Sequence, residues 1–97
     1  MQYIYPFREA DERTKRLVWE KGSPIAGYDA AVWRRDQCGH AMQYAEHANT
    51  NSEYGWEIDH IKPRAKGGQT VLENLQPLYW ETNRKKGDQY PWNCLML

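Results

Sequence analysis

The tightest constraint on this chain is a short alternation that is cut off abruptly. Trp56-Glu57-Ile58-Asp59-His60-Ile61 switches side at every residue, and Pro63 follows two positions later. Period-two alternation predicts a strand with Trp56, Ile58 and His60 on one face and Glu57, Asp59 and Ile61 on the other. Pro63 has no N–H for a ladder, so the strand must stop there. Two chemically capable neighbours, Asp59 and His60, therefore lie at a strand end. Adjacent strand residues face opposite sides, so for these two to serve one site the strand must bend or end there, and Pro63 is placed to enforce that.

The rest of the chain gives that strand its setting. The 97 residues make one small domain, of a size that buries a little over ~60% of its unfolded surface. Five Trp and seven Tyr offset part of that deficit with large rings. Trp19, Trp33 and Trp92 are expected inside. No run of 18 apolar residues exists, which argues against a membrane partner. Residues 1–9 lack the basic start and apolar stretch of a signal peptide. The expected location is then cytoplasmic, with Cys38 and Cys94 as free thiols in preference to one distant bridge.

Residues 9–21 are charged around an apolar patch, Leu17, Val18 and Trp19, before Gly22; they predict a helix. Asp29 suits the N-cap of a second helix over residues 30–37, ended by Gly39. Residues 41–45 alternate weakly, with Met42 and Tyr44 on one face. Past Pro63 runs a basic loop, residues 62–70, containing Gly67-Gly68. Residues 72–77 read as a returning strand and residues 79–86 as a helix, with Gly87 at its C′ position. The expected organisation is a single domain, 1–97, with a helical segment over 1–40, a core over 41–87 and an irregular arm over 88–97.

The residue types around the cut-off strand point to metal-assisted hydrolysis. Asp59 is a hard oxygen ligand suited to Mg²⁺ or Mn²⁺. His60 titrates near neutrality and can take a proton from water. Asn83 offers a carbonyl oxygen as a second ligand. Glu57 shares the face of Asp59 and either joins the metal shell through water or accepts from a basic side chain. His40 and His47 lie near Cys38 without tetrahedral spacing, so turn or surface roles are expected for them.

The ordered string Asp59-His60-Ile61-x-Pro63, Gly67-Gly68, Asn74-Leu75-x-Pro77-Leu78 and Asn83-x-x-Lys86-Gly87 resembles the HNH endonuclease motif, in a compact bacterial or phage form. The resemblance implies an α+β fold in which a β-hairpin and a helix clasp one metal ion (a ββα-metal core over 41–87), preceded by N-terminal helices. It implies His60 as general base, Asp59 and Asn83 as ligands of one Mg²⁺ or Mn²⁺, and Asn74 as the catalytic-motif residue that pins the loop orienting His60. The implied activity is hydrolysis of DNA phosphodiesters, including nicking of duplex DNA, to 5′-phosphate and 3′-hydroxyl ends. Many HNH domains also carry two CxxC zinc pairs. Here position 41 is Ala and positions 79 and 82 are Tyr and Thr, so that zinc site is absent, and Met42, Tyr79 and Trp80 are expected to fill its space.

Lys62, Arg64 and Lys66 before the glycines, and Arg84, Lys85 and Lys86 after Asn83, flank the motif as expected phosphate contacts. The formal net charge is nonetheless zero, which argues against holding DNA by bulk charge alone. It leaves open a partner-dependent accessory module, in a phage packaging or restriction setting, and a homodimer for two-strand cleavage.

Overall fold

The computed structural model describes residues 11–97. The start of the helix expected over 9–21, and residues 1–9, expected to carry no signal peptide, lie outside them. Within them a first helix, α1 (Glu12–Trp19), begins at Asp11, whose carboxylate accepts from the Thr14 N–H at 2.9 Å. An acceptor at that position satisfies one of the first-turn N–H groups that a helix leaves unpaired.

A three-stranded antiparallel sheet follows, in the order β1 (Ser23–Pro24), β2 (Trp33–Arg35), β3 (Ala41–Gln43). The second helix expected over 30–37 is thus replaced by turns and a strand. Asp29 does cap, but it caps a turn: its carboxylate accepts from the Ala31 N–H at 2.9 Å. The strand wins because Trp33–Arg35 gains partners on both sides, Arg34 standing opposite Pro24 and Met42.

The second sheet is an antiparallel hairpin of β4 (Trp56–His60) and β5 (Leu75–Tyr79), which leads directly into α2 (Trp80–Lys86). The strand expected over 72–77 begins instead with a short 3₁₀ turn, Leu72–Asn74, and continues through Tyr79. The two helices and two small antiparallel sheets make an α+β fold, as the sequence implied.

Val18, Trp19, Met42, Trp56, Ile58 and Leu75 form the apolar core, with Tyr44 packed against it. Trp19 and Trp56 each bury a ring and still place the indole N–H, on the carbonyls of Ala30 (2.9 Å) and Tyr44 (3.1 Å). Trp33 and Trp92 are only half-buried, contrary to expectation. Trp33 instead meets Tyr54 edge-on, at 5.0 Å between centroids.

Cys38 and Cys94 are joined in a disulfide, not free. The bridge ties the C-terminal arm to the β2–β3 turn. It removes the thiol argument for a reducing compartment. The same turn is anchored by Asp36, whose buried carboxylate accepts from the N–H groups of Cys38 (2.9 Å), His40 (3.0 Å) and Tyr79 (3.0 Å). His40 stacks flat on Tyr79, 3.6 Å between centroids. No helix among the described residues is long and apolar enough to cross a membrane.

Candidate active site

The β4–β5 hairpin and α2 build the site together. In the register of the hairpin Asp59 stands opposite Gln76, and Glu57 opposite Leu78. Cross-strand partners share a face, and α2 lies over this one. Asn83 Nδ2 donates to Glu57 Oε1 at 3.0 Å, and Lys86 Nζ donates to Asp59 Oδ1 at 3.2 Å. Hence the polar face of β4 is buried as fully as the apolar one: every residue from Trp56 to His60 is buried.

Asp59 is held at both carboxylate oxygens. Gln76 Nε2 donates to Oδ2 at 2.9 Å, while Lys86 takes Oδ1. Burial pushes the carboxyl pKa up, and the Gln76 and Lys86 contacts pull against that rise. Lys86 also donates to the backbone carbonyl of His60 at 3.0 Å.

Lys86 is therefore a correction to the set of expected phosphate contacts. Its side chain is 2% exposed and committed to Asp59 and to the end of β4. It sits in the last turn of a short helix packed on the strand, and a buried carboxylate and a strand-end carbonyl are the acceptors within its reach. Arg84 is also engaged, donating through both terminal nitrogens to Glu57, with Nη2 at 2.9 Å from Oε2. Glu57 is accordingly spent on Arg84 and Asn83. Lys62, Arg64, Lys66 and Lys85 remain exposed.

His60 is buried, with Nε2 at 2.8 Å from the hydroxyl of Thr70. Its pKa is lowered, first by desolvation and then by the charges of Arg64 and Lys86. The imidazole is thus kept neutral at pH 7, the form that accepts a proton.

Asn74 holds the loop between β4 and β5 closed. Its Oδ1 accepts from the Lys62 N–H at 2.9 Å, and its Nδ2 donates to the carbonyls of Lys62 (3.0 Å) and Gln69 (2.8 Å). Gly68 fits beneath this clamp: a Cβ there would stand 1.7 Å from the Lys62 carbonyl oxygen. The closed loop delivers Thr70 to His60.

Among the described residues no three or more His, Cys, Asp or Glu side chains gather to hold a metal ion. The donors that the sequence assigns are one carboxylate, Asp59, and one amide, Asn83. Such hard and sparse oxygen donors fit Mg²⁺ or Mn²⁺, which keep several waters, better than zinc. The Lys86 ammonium beside Asp59 is the charge that such an ion meets.

Sequence reasoning missed four parts of this assembly: Asp36, Thr70 as the partner of His60, Gln76 and the buried role of Lys86. Gln76 becomes visible only when strand register sets it against Asp59. Asp36 reaches Tyr79 across 43 positions, which no local pattern reports.

Residues 43–89 match the family model for HNH endonuclease. No match was found among curated proteins or among solved structures.

Proposed function

With residues 43–89 belonging to the HNH endonuclease family, we propose that this chain hydrolyses phosphodiester bonds of DNA with the help of a divalent cation. The observation that carries the reading is the strand end itself. There a buried carboxylate and a buried neutral imidazole are adjacent in sequence, each fixed by a partner from a different element.

Asp59 and Asn83 would hold Mg²⁺ or Mn²⁺. When bound, such an ion supplies Lewis-acid stabilisation of charge on the scissile phosphate and the departing 3′-oxygen. The remaining chemistry belongs to the chain. His60 takes the proton from the attacking water. The water oxygen bonds to phosphorus, the bond from phosphorus to the 3′-oxygen breaks, and the departing oxygen takes up a proton from solvent water. The products are a 5′-phosphate and a 3′-hydroxyl. Thr70 fixes the His60 ring, and Asn74 keeps the loop that carries Thr70 in place. Positioning of this kind supplies much of the rate gain in hydrolysis. Lys62, Arg64, Lys66 and Lys85 are the exposed cations for the DNA backbone.

One site per chain makes single-strand nicking the primary outcome. Zero net charge favours weak, salt-sensitive binding, which a partner protein or a second copy would strengthen.

The test is supercoiled plasmid incubated with the full chain and Mg²⁺ or Mn²⁺. Open circles are expected, and EDTA abolishes them. His60→Ala is expected to lose ~10²-fold or more in rate, the usual contribution of a general base. A His60→Ala protein that nicks as fast as the parent would overturn the mechanism.

A further inference from the structure

The carboxylate of Asp59 is connected to a point remote from the site through two side-chain amides. Gln76 Nε2 donates to Asp59 Oδ2 at 2.9 Å, and Gln76 Oε1 accepts from Gln37 Nε2 at 2.8 Å. Chemistry sets the direction of both bonds. A carboxylate only accepts, so Gln76 must turn its amino end to Asp59. Its oxygen is then left for Gln37, which must donate.

Gln37 is itself well seated. It lies between Asp36, which accepts three backbone N–H groups, and Cys38, which is bridged to Cys94. The line of amides therefore starts in an anchored turn and ends on the carboxylate. Neither glutamine fills the core: Gln37 is exposed, Gln76 is half-buried, and both line an open cleft of about 260 Å³. What they contribute is hydrogen bonding more than packing.

We propose that Gln76, seated by Gln37, is the positioning residue that sets the orientation of the Asp59 carboxylate toward a divalent cation. The inference rests on Asp59 being the metal ligand proposed above. Gln76 fixes Oδ2 and Lys86 fixes Oδ1, so the carboxylate plane has one orientation. Partners behind a metal ligand commonly change metal affinity when removed, by about 10–100-fold.

The test is calorimetric titration of the full chain with Mn²⁺, with thermal midpoints measured alongside. Gln76→Met is expected to weaken Mn²⁺ affinity by about 10-fold or more, with a midpoint lowered by the loss of one hydrogen bond to a buried carboxylate but a chain still folded at the assay temperature. Gln37→Met is expected to weaken it in the same direction but less. The double variant should be no weaker than Gln76→Met alone, because Gln37 acts through Gln76. Parent-like affinity in Gln76→Met, or effects that add in the double variant, would overturn the proposal. Should Gln76→Met fail to fold, exposed Gln37→Met decides alone, parent-like affinity refuting it. Asp59→Asn separates the two readings. If it loses Mn²⁺ while Gln76→Met keeps it, only the positioning role fails. If Asp59→Asn binds Mn²⁺ like the parent, the metal assignment fails and takes this inference with it.

Discussion

Replacing Lys86 by Met separates a buried ion pair from the packing around it. Methionine keeps most of the length and apolar stem of lysine but no charge. In the parent, Nζ contacts Asp59 Oδ1 at 3.2 Å and the His60 carbonyl at 3.0 Å, and the two side chains are 2% and 7% exposed. Removing one member leaves a carboxylate out of water with Gln76 as its remaining hydrogen-bond donor, an arrangement that typically costs ~3–5 kcal/mol. Domains of this size have about 5–15 kcal/mol in all, so the loss is a large fraction. At ~4–8 °C per kcal/mol the melting midpoint should fall by at least ~12 °C.

The assay is urea unfolding followed by tryptophan fluorescence, since Trp19 and Trp56 lie in the core. Two further measurements isolate the cause. Lys86→Met with Asp59→Asn should regain much of the stability, because a buried amide needs no counter-cation. The deficit of Lys86→Met should also shrink as pH falls. Loss of the cation raises the folded pKa of Asp59 still further, so the folded variant gains a proton before the unfolded chain does, and each such proton favours folding. A loss below ~1 kcal/mol, against the ~3–5 expected for a broken buried pair, would refute the reasoning. So would a double variant no more stable than Lys86→Met.

Three other outcomes are expected. Gly68→Ala places a Cβ 1.7 Å from the Lys62 carbonyl oxygen, so the loop must reopen; plasmid nicking should fall sharply while the tryptophan fluorescence of the core stays native-like. His47 has its pKa lowered to about 4, first by burial and then by the charge of Lys15. The unfolded chain therefore takes up that proton before the folded one does. Stability carried by His47 is present above pH ~6.5 and is lost as pH falls toward ~4; His47→Gln should flatten the slope of unfolding free energy against pH in that window. Finally, Cys38 and Cys94 close a loop across 56 positions, and chain entropy credits a bridge of that span with about 4 kcal/mol, with ~2–4 commonly realised. Cys94→Ser should lower the urea midpoint accordingly, and dithiothreitol should affect the parent but not the variant.

The strand, the loop and the last helix were readable because each has a local cause. Alternation gave β4, Pro63 ended it, Gly67-Gly68 marked the loop, and Gly87 marked the end of α2. These are short-range steric and periodic effects, and they survive translation from sequence to structure with shifts of a residue or two. The segment over 30–37 was misread because its outcome depends on β1 and β3. Asp29 caps a turn as readily as a helix, and strand partners on both sides decided which.

By itself, then, the amino-acid sequence determined which chemistry is present: Asp59 and His60 at a strand end, with Asn74 and Asn83 in order after them. Tertiary structure alone decided how charge is distributed among those groups. Lys86 and Arg84 look like surface cations in sequence, yet α2 folds over the polar face of β4 and turns both inward, onto Asp59 and Glu57. Gln76, Gln37 and Asp36 likewise acquire their partners only through strand register and turn docking. The physical reason is range. Backbone preference acts over a few residues, whereas a buried charge takes whichever partner the fold brings within hydrogen-bonding distance, however far away in the chain.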